Sequence, residues 1–185
     1  MGSDGLIAML RREGYTVEPV VSKPSRHIAD FEYYKNHLYL NGNVNGKPLR
    51  LVFDTGAPYT LCLDSAFVAE SGLTFNRTTN ARMGGAGVEQ KQVKVILGSV
   101  TLIAVNRTFT PQYTPIINLR SVLGDKADGL FGMSGVSDKV LCIDFKHGKM
   151  ITADSISKAM VEGFEQVKIE QKSNRILIPL MVQIE

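Results

Sequence analysis

The sequence predicts an all-β domain with one or two short helices and an N-terminal extension. Three observations carry that prediction. Residues 37–44 and 47–53 are β-patterned runs flanking Asn45-Gly46, a dipeptide that favours the two-residue hairpin turn. Two longer runs of β character, 88–97 and 100–109, meet at Gly98-Ser99. Residues 140–145 and 149–152 are expected to pair around Lys146-His147-Gly148.

Each element has its own justification. Residues 6–12 can form a short amphipathic helix closed by Gly14, and residues 15–21 are extended, with Pro19 and Pro24 discouraging a central strand. This leader suits an edge strand, a packing arm or the tail of a missing segment. In the run 47–53, Leu49, Leu51 and Phe53 alternate onto one face, and Pro48 sits near the start, where a strand tolerates it. The hairpin delivers Leu51-Val52-Phe53-Asp54-Thr55-Gly56-Ala57, an apolar strand that stops at an acid. A carboxylate is costly to bury without partners, so packing gives no reason to end an apolar run with one. Thr55 can donate a hydrogen bond, and Gly56 lets another backbone approach closely or takes a positive φ. Taken alone, the string also fits a strand that simply exits into an Asp-Thr-Gly turn.

Residues 60–63 read as a short strand, after which Asp64 or Ser65 caps a helix to about Glu70 and Gly72 ends it. Met83-Gly84-Gly85-Ala86-Gly87 is a turn, either mobile or merely in need of positive φ. No Lys-Ser/Thr and helix follow it, which argues against a phosphate-binding loop. Residues 111–126 form a loop with one helical turn at 116–123, and Gly129-Leu130-Phe131-Gly132 is a buried strand ending in glycine. His147 lies on a turn as a solvated surface histidine. Residues 155–164 suggest an amphipathic helix, 165–175 a polar linker, and 176–185 an apolar, β-like close.

In this order, Asp54-Thr55-Gly56-Ala57, the glycine cluster and Asp128-Gly129-Leu130-Phe131-Gly132 resemble the retropepsin-like aspartic proteases. That family has a catalytic Asp-Thr-Gly-Ala, a glycine-rich flap and a closing apolar-apolar-Gly element. The likeness spans about residues 38–152 and implies a closed retropepsin-like barrel over residues 37–153. An N-terminal extension, 1–36, precedes it, and a linker helix and C-terminal strand, 154–185, follow. Bacterial members carry a helix before a Gly-Leu step like Gly72-Leu73. Some have two tandem lobes, and residues 176–185 resemble the opening strand of another lobe. They equally suit a strand that completes this domain or a dimer interface.

The resemblance also assigns roles. Asp54 is catalytic, with Thr55 and Gly56 fixing the carboxylate plane through hydrogen bonds. Ala57 lines the cleft, Gly84, Gly85, Ala86 and Gly87 cover bound peptide, and Leu130 and Phe131 support the loop from behind. One departure concerns the flap: the family's cluster ends in further glycine, whereas here Val88-Glu89-Gln90 follows at once.

Aspartic proteolysis needs two carboxyl groups around one water, one acting as base and the other hydrogen-bonding the oxyanion. Like charges about 3 Å apart cannot both ionise, so such a pair holds one proton and works on the acid side of neutral. The chain has a single Asp-Thr-Gly, so the second acid is expected from a homodimer partner or a second lobe. Asp128 and Asp144 are the nearest rivals, and a turn and a strand end explain them. Neither cysteine has a motif histidine, no Gly-x-Ser-x-Gly occurs, and no cluster has metal-ligand spacing; no cofactor is implied. The implied function is an aspartic endopeptidase acting on extended polypeptide. The alternative is a non-catalytic peptide-binding or assembly module of the same fold.

Bulk properties agree with one domain plus extensions: 185 residues, 44% hydrophobic and 21% charged. The formal charge is +3 and Lys and Arg are scattered, which argues against nucleic acid or an anionic membrane surface. No apolar stretch reaches the roughly 18 residues of a membrane span. Residues 1–5 lack a basic region and an apolar core, so no signal peptide is read there. Met1-Gly2-Ser3 resembles a cloning remnant, which leaves a periplasmic or secreted origin open. Cys62 and Cys142, each flanked by apolar residues, read as buried thiols rather than as a disulfide.

Overall fold

The computed structural model describes residues 9, 12–13, 25–84, 91–172 and 175–178. Its centre is the hairpin of β3 (His37–Val44) and β4 (Lys47–Asp54), paired from Leu38↔Phe53 to Val44↔Lys47. Asn45 and Gly46 turn it with φ of 47° and 84°, the two positive values a tight hairpin demands. The Asn43 side chain accepts the Gly46 N–H at 2.7 Å. Leu49, Leu51 and Phe53 are buried on one face as their alternation predicts. Val52 is buried too, on the opposite face with Tyr39 and Ala127, so β4 is covered on both sides.

After Asp54 the chain forms β5 (Leu61–Asp64), every residue of it buried, and then the helix Ser65–Ser71. Asp64 caps that helix and Gly72, at φ 69°, ends it. The strand β11 (Gly129–Gly132) inserts between β4, to which it runs parallel, and β5, to which it runs antiparallel. Phe131 is its fully buried residue, in a core shared with Leu40, Leu51, Leu61, Leu63 and Met150. Around these three strands lie β6 (Thr78–Met83), β7 (Lys91–Leu97), β8 (Leu102–Ala104), β9 (Arg107–Phe109) and β10 (Tyr113–Ile117). The described sheet order is β6-β7-β10-β5-β11-β4-β3-β8-β9, with β2 (Glu32–Tyr34) also on β3.

Four expectations need correction. The β class is as predicted, but among the described residues no sheet closes into a barrel: β6 and β9 are the free ends of the large sheet. The hairpin β12 (Val140–Asp144) and β13 (Lys149–Ala153) forms as expected, yet it joins β1 (Arg26–Asp30) in a separate three-stranded sheet. The run 100–109 is two strands, because Val105 and Asn106 turn at φ 46° and 55°. Finally, residues 155–164 give only one helical turn, Lys158–Val161, since Ile156, Val161 and Phe164 stay exposed with no core to pack on.

Several strands lie where none is predicted, β1, β2, β6 and β10 among them. The strand β6 is polar and mostly exposed, so it lacks a hydrophobic period. The strand β10 contains Pro115, yet pairs with β7 on one side and β5 on the other. Within the expected linker, β14 (Glu170–Lys172) and β15 (Arg175–Leu177) form a small hairpin. The helix over residues 6–12, except Met9 and Arg12, and the extended run 15–21 lie outside the described residues. No described helix is long and apolar enough to cross a membrane.

Candidate active site

The site is built on the last residue of β4. Asp54 pairs in register with Gly132 of β11 and is half-buried at the mouth of the loop 54–60. Its Oδ1 accepts the Gly56 N–H at 2.7 Å, and its carbonyl accepts the Ala57 N–H at 3.3 Å. Gly56 does not take a positive φ; a Cβ there would stand 3.1 Å from Asp54 Oδ1, a tight contact. Thr55 is exposed and its hydroxyl forms no hydrogen bond among the described residues, of which only Gly56 holds the carboxylate. Ala57, expected in the cleft, is buried, with its methyl group toward Gly132.

The returning limb of the loop rests on the end of β11. Gly132 N–H donates to the Thr60 carbonyl at 3.2 Å and Met133 N–H to that of Ala57 at 2.9 Å. The crossing is so close that a Cβ on Gly132 would lie 2.0 Å from the Tyr59 carbonyl oxygen. Behind it Phe131 packs tilted against Phe53 and Phe109, with centroids 6.1 and 5.4 Å apart. Leu130, half-buried, packs on the other face with Tyr39 and Val52.

Two neighbours show how the interior treats charge. Burial, with a smaller push from the Asp54 charge, raises the Cys62 thiol to about 12, so it is an inert neutral group. Cys142 is half-buried, and both cysteines are free thiols, as the sequence predicts. Asp64 is the buried acid that sequence reasoning underestimates. Burial alone would raise it, but the main-chain amides of Phe67, Arg120, Leu119 and Ala66 outweigh that and hold it below its usual 3.8. The four donors lie 2.8–3.1 Å from its oxygens, so one carboxylate caps both Ser65–Ser71 and the short helix Arg120–Leu123. Only the first of those caps is local enough to read from sequence.

Asp128 is held otherwise. It accepts the Arg50 N–H at 2.9 Å and the Arg120 guanidinium at 3.1 Å. Asp144 lies on the exposed hairpin turn, 2.7 Å from Nδ1 of His147, which keeps that carboxyl below its ordinary range. Both rivals of Asp54 therefore have structural duties. No three His, Cys, Asp or Glu side chains among the described residues could hold a metal ion together.

Of the expected flap, Gly84 is described and exposed, while Gly85, Ala86 and Gly87 lie outside the described residues. Residues 84–90 join β6 to β7, an antiparallel hairpin whose last described pair is Met83↔Lys91.

Comparison with known proteins completes the description. A family model described as aspartyl protease matches residues 40–134, just over half of the chain. No curated protein matches. Similar solved structures include a retropepsin-like aspartic protease from Rickettsia conorii, with a TM-score of 0.49 and 19% identity over 71% of this chain and 92% of that one. Others are a simian foamy virus protease, with a TM-score of 0.35 and 20% identity over 54% of this chain and 91% of that one, and an aspartic proteinase from Irpex lacteus, at 0.42 and 12% over 75% and 49%. The matched stretch holds the strand-end Asp54, the glycine crossing at Gly132 and the strands between them, and the chain belongs to the aspartyl protease family.

Proposed function

We propose that the chain is one lobe of an aspartic endopeptidase in which Asp54 works with a second aspartate, supplied by an identical subunit or by a second lobe. The observation that carries this reading is the half-buried Asp54 carboxylate, held by the Gly56 amide at 2.7 Å at the end of β4. The buried structural acid Asp64 is enclosed by four main-chain donors. Among the described residues Asp54 has one donor and an exposed neighbour, Thr55, which leaves it capacity for a water and a partner.

With an identical subunit the interface is isologous and Asp54 lies near the two-fold axis. The two carboxyls share one proton, the behaviour that defines aspartic proteases as a class. The ionised member takes a proton from water as the water oxygen bonds to the scissile carbonyl carbon. The protonated member hydrogen-bonds the developing oxyanion. When the carbon–nitrogen bond breaks, the amine leaves with a proton returned from the pair. Gly56 orients each carboxylate, and residues 84–87 cover an extended polypeptide, donating main-chain hydrogen bonds and excluding water.

The test is cleavage of an unstructured protein at mildly acidic pH over a protein dilution series, with and without pepstatin. Cleavage that pepstatin blocks is expected. Its absence at every concentration would leave a non-catalytic peptide-binding or assembly module.

A further inference from the structure

The carboxylate of Asp54 is steadied on its own limb of the loop by one local bond, from Gly56 N–H. The other limb depends on a separate element, the single 3-10 turn Met133–Gly135 and the glycine before it. Gly132, Met133 and Ser134 are consecutive, and each donates to a carbonyl of the loop. The first two use main-chain N–H groups, on Thr60 and Ala57, which any residue supplies. The third uses a side chain: the Ser134 hydroxyl donates to the Pro58 carbonyl. It is the bond of the set whose donor is a side chain.

The turn cannot simply drift with the loop. Arg107 Nη1 donates to the Gly135 carbonyl at 3.1 Å, while its guanidinium lies 5.0 Å over the Phe109 ring and 3.4 Å from Asp138. Gly135 itself is pressed onto Phe131, where a Cβ would stand 2.4 Å from the ring. Ser134 is therefore presented from a fixed base to residues 57–60, which belong to no strand.

We propose that Ser134 is a positioning residue. Its hydroxyl fixes the Pro58 limb of the loop, and through the loop it sets the plane of the Asp54 carboxylate. The catalytic consequence rests on the aspartic-protease reading, whereas the ordering of the loop rests on the hydrogen bonds alone. A loop freed at Pro58 lets Asp54 turn away from the orientation in which two carboxyls can share a water. The loss then falls on kcat rather than on KM.

The experiment measures amide hydrogen exchange in wild type, Ser134→Ala and Ser134→Thr, with kcat and KM on a disordered protein substrate. In Ser134→Ala the Gly56 and Ala57 amides are expected to exchange about fivefold faster, from the loss of one net hydrogen bond. The Leu40 and Leu51 amides in the central hairpin keep their rates, kcat falls by a similar factor, and KM stays within about twofold. Ser134→Thr, which keeps the hydroxyl, restores both. Unchanged exchange at Gly56 and Ala57 would overturn the proposal whatever the activity did, as would a kcat loss that Ser134→Thr fails to restore. If wild type does not cleave but exchange responds as described, the proteolytic reading falls and the ordering of the Asp54 loop by Ser134 stands.

Discussion

At Gly132 the main chains of two elements pass so closely that no side chain fits between them. A Cβ there would sit 2.0 Å from the Tyr59 oxygen and 2.6 Å from the Ala57 oxygen, both main-chain atoms that cannot rotate aside. Gly132→Ala is expected to cost at least about 2 kcal/mol of stability, read by urea unfolding, and to remove activity. A variant that unfolds at the wild-type urea concentration would contradict the crossing. This residue was legible from sequence as the closing glycine of an apolar strand, but the reason for it was not. Sequence suggested a supporting strand; the structure shows a glycine required by the carbonyls of the loop it supports. Asp54 was legible for a simpler reason, because an acid at the end of an apolar run has no packing explanation. The buried position of Ala57 was hidden, since a methyl group gives no sign of which way its loop folds.

The elements that sequence revealed are those whose signals are local. Asn45-Gly46 sets its own turn, and Asp64 and Gly72 bracket the helix between them. What stayed hidden depends on distant partners. Pro115 argues against a strand until β7 and β5 are seen on either side of it. Val105, a β-branched residue at φ 46°, disguises a turn that only the pairing of β8 with β9 explains. Asp64 belongs to both groups, because it also binds the N–H groups of Leu119 and Arg120, 55 and 56 residues later. Asp64→Asn puts an NH2 group where only acceptors are wanted and is expected to cost about 3 kcal/mol at neutral pH. Folding lowers this carboxyl, so its contribution is complete above the unfolded value of about 4 and is lost as pH falls through the lower folded value. The stability difference between wild type and Asp64→Asn, followed by urea unfolding from pH 7 to pH 2, is expected to shrink below about pH 4. A constant difference would contradict the four-amide cap.

For the whole molecule, the covered core and the C-terminal stretch behave as separate parts. Of the side chains described beyond Asp154 none is buried, and Phe164, Val167 and Ile169 are 70%, 61% and 50% exposed. Asp154, by contrast, ties Lys139 at 2.6 Å and the Ser25 main chain at 2.7 Å, and so fastens the start of β1. A chain ending at Ser157 is expected to keep its unfolding free energy within about 0.5 kcal/mol, since no described side chain beyond it is buried. A larger loss would mean that the stretch packs on the rest. Pairing is the other property of the whole molecule, because the proposed chemistry needs a second carboxyl facing Asp54. The most direct test of that account is the rate at which Asp54→Asn cleaves a disordered protein at mildly acidic pH, beside wild type at equal concentration. A fall of about 1,000-fold with unchanged folding is expected. Equal cleavage by the two proteins would contradict it.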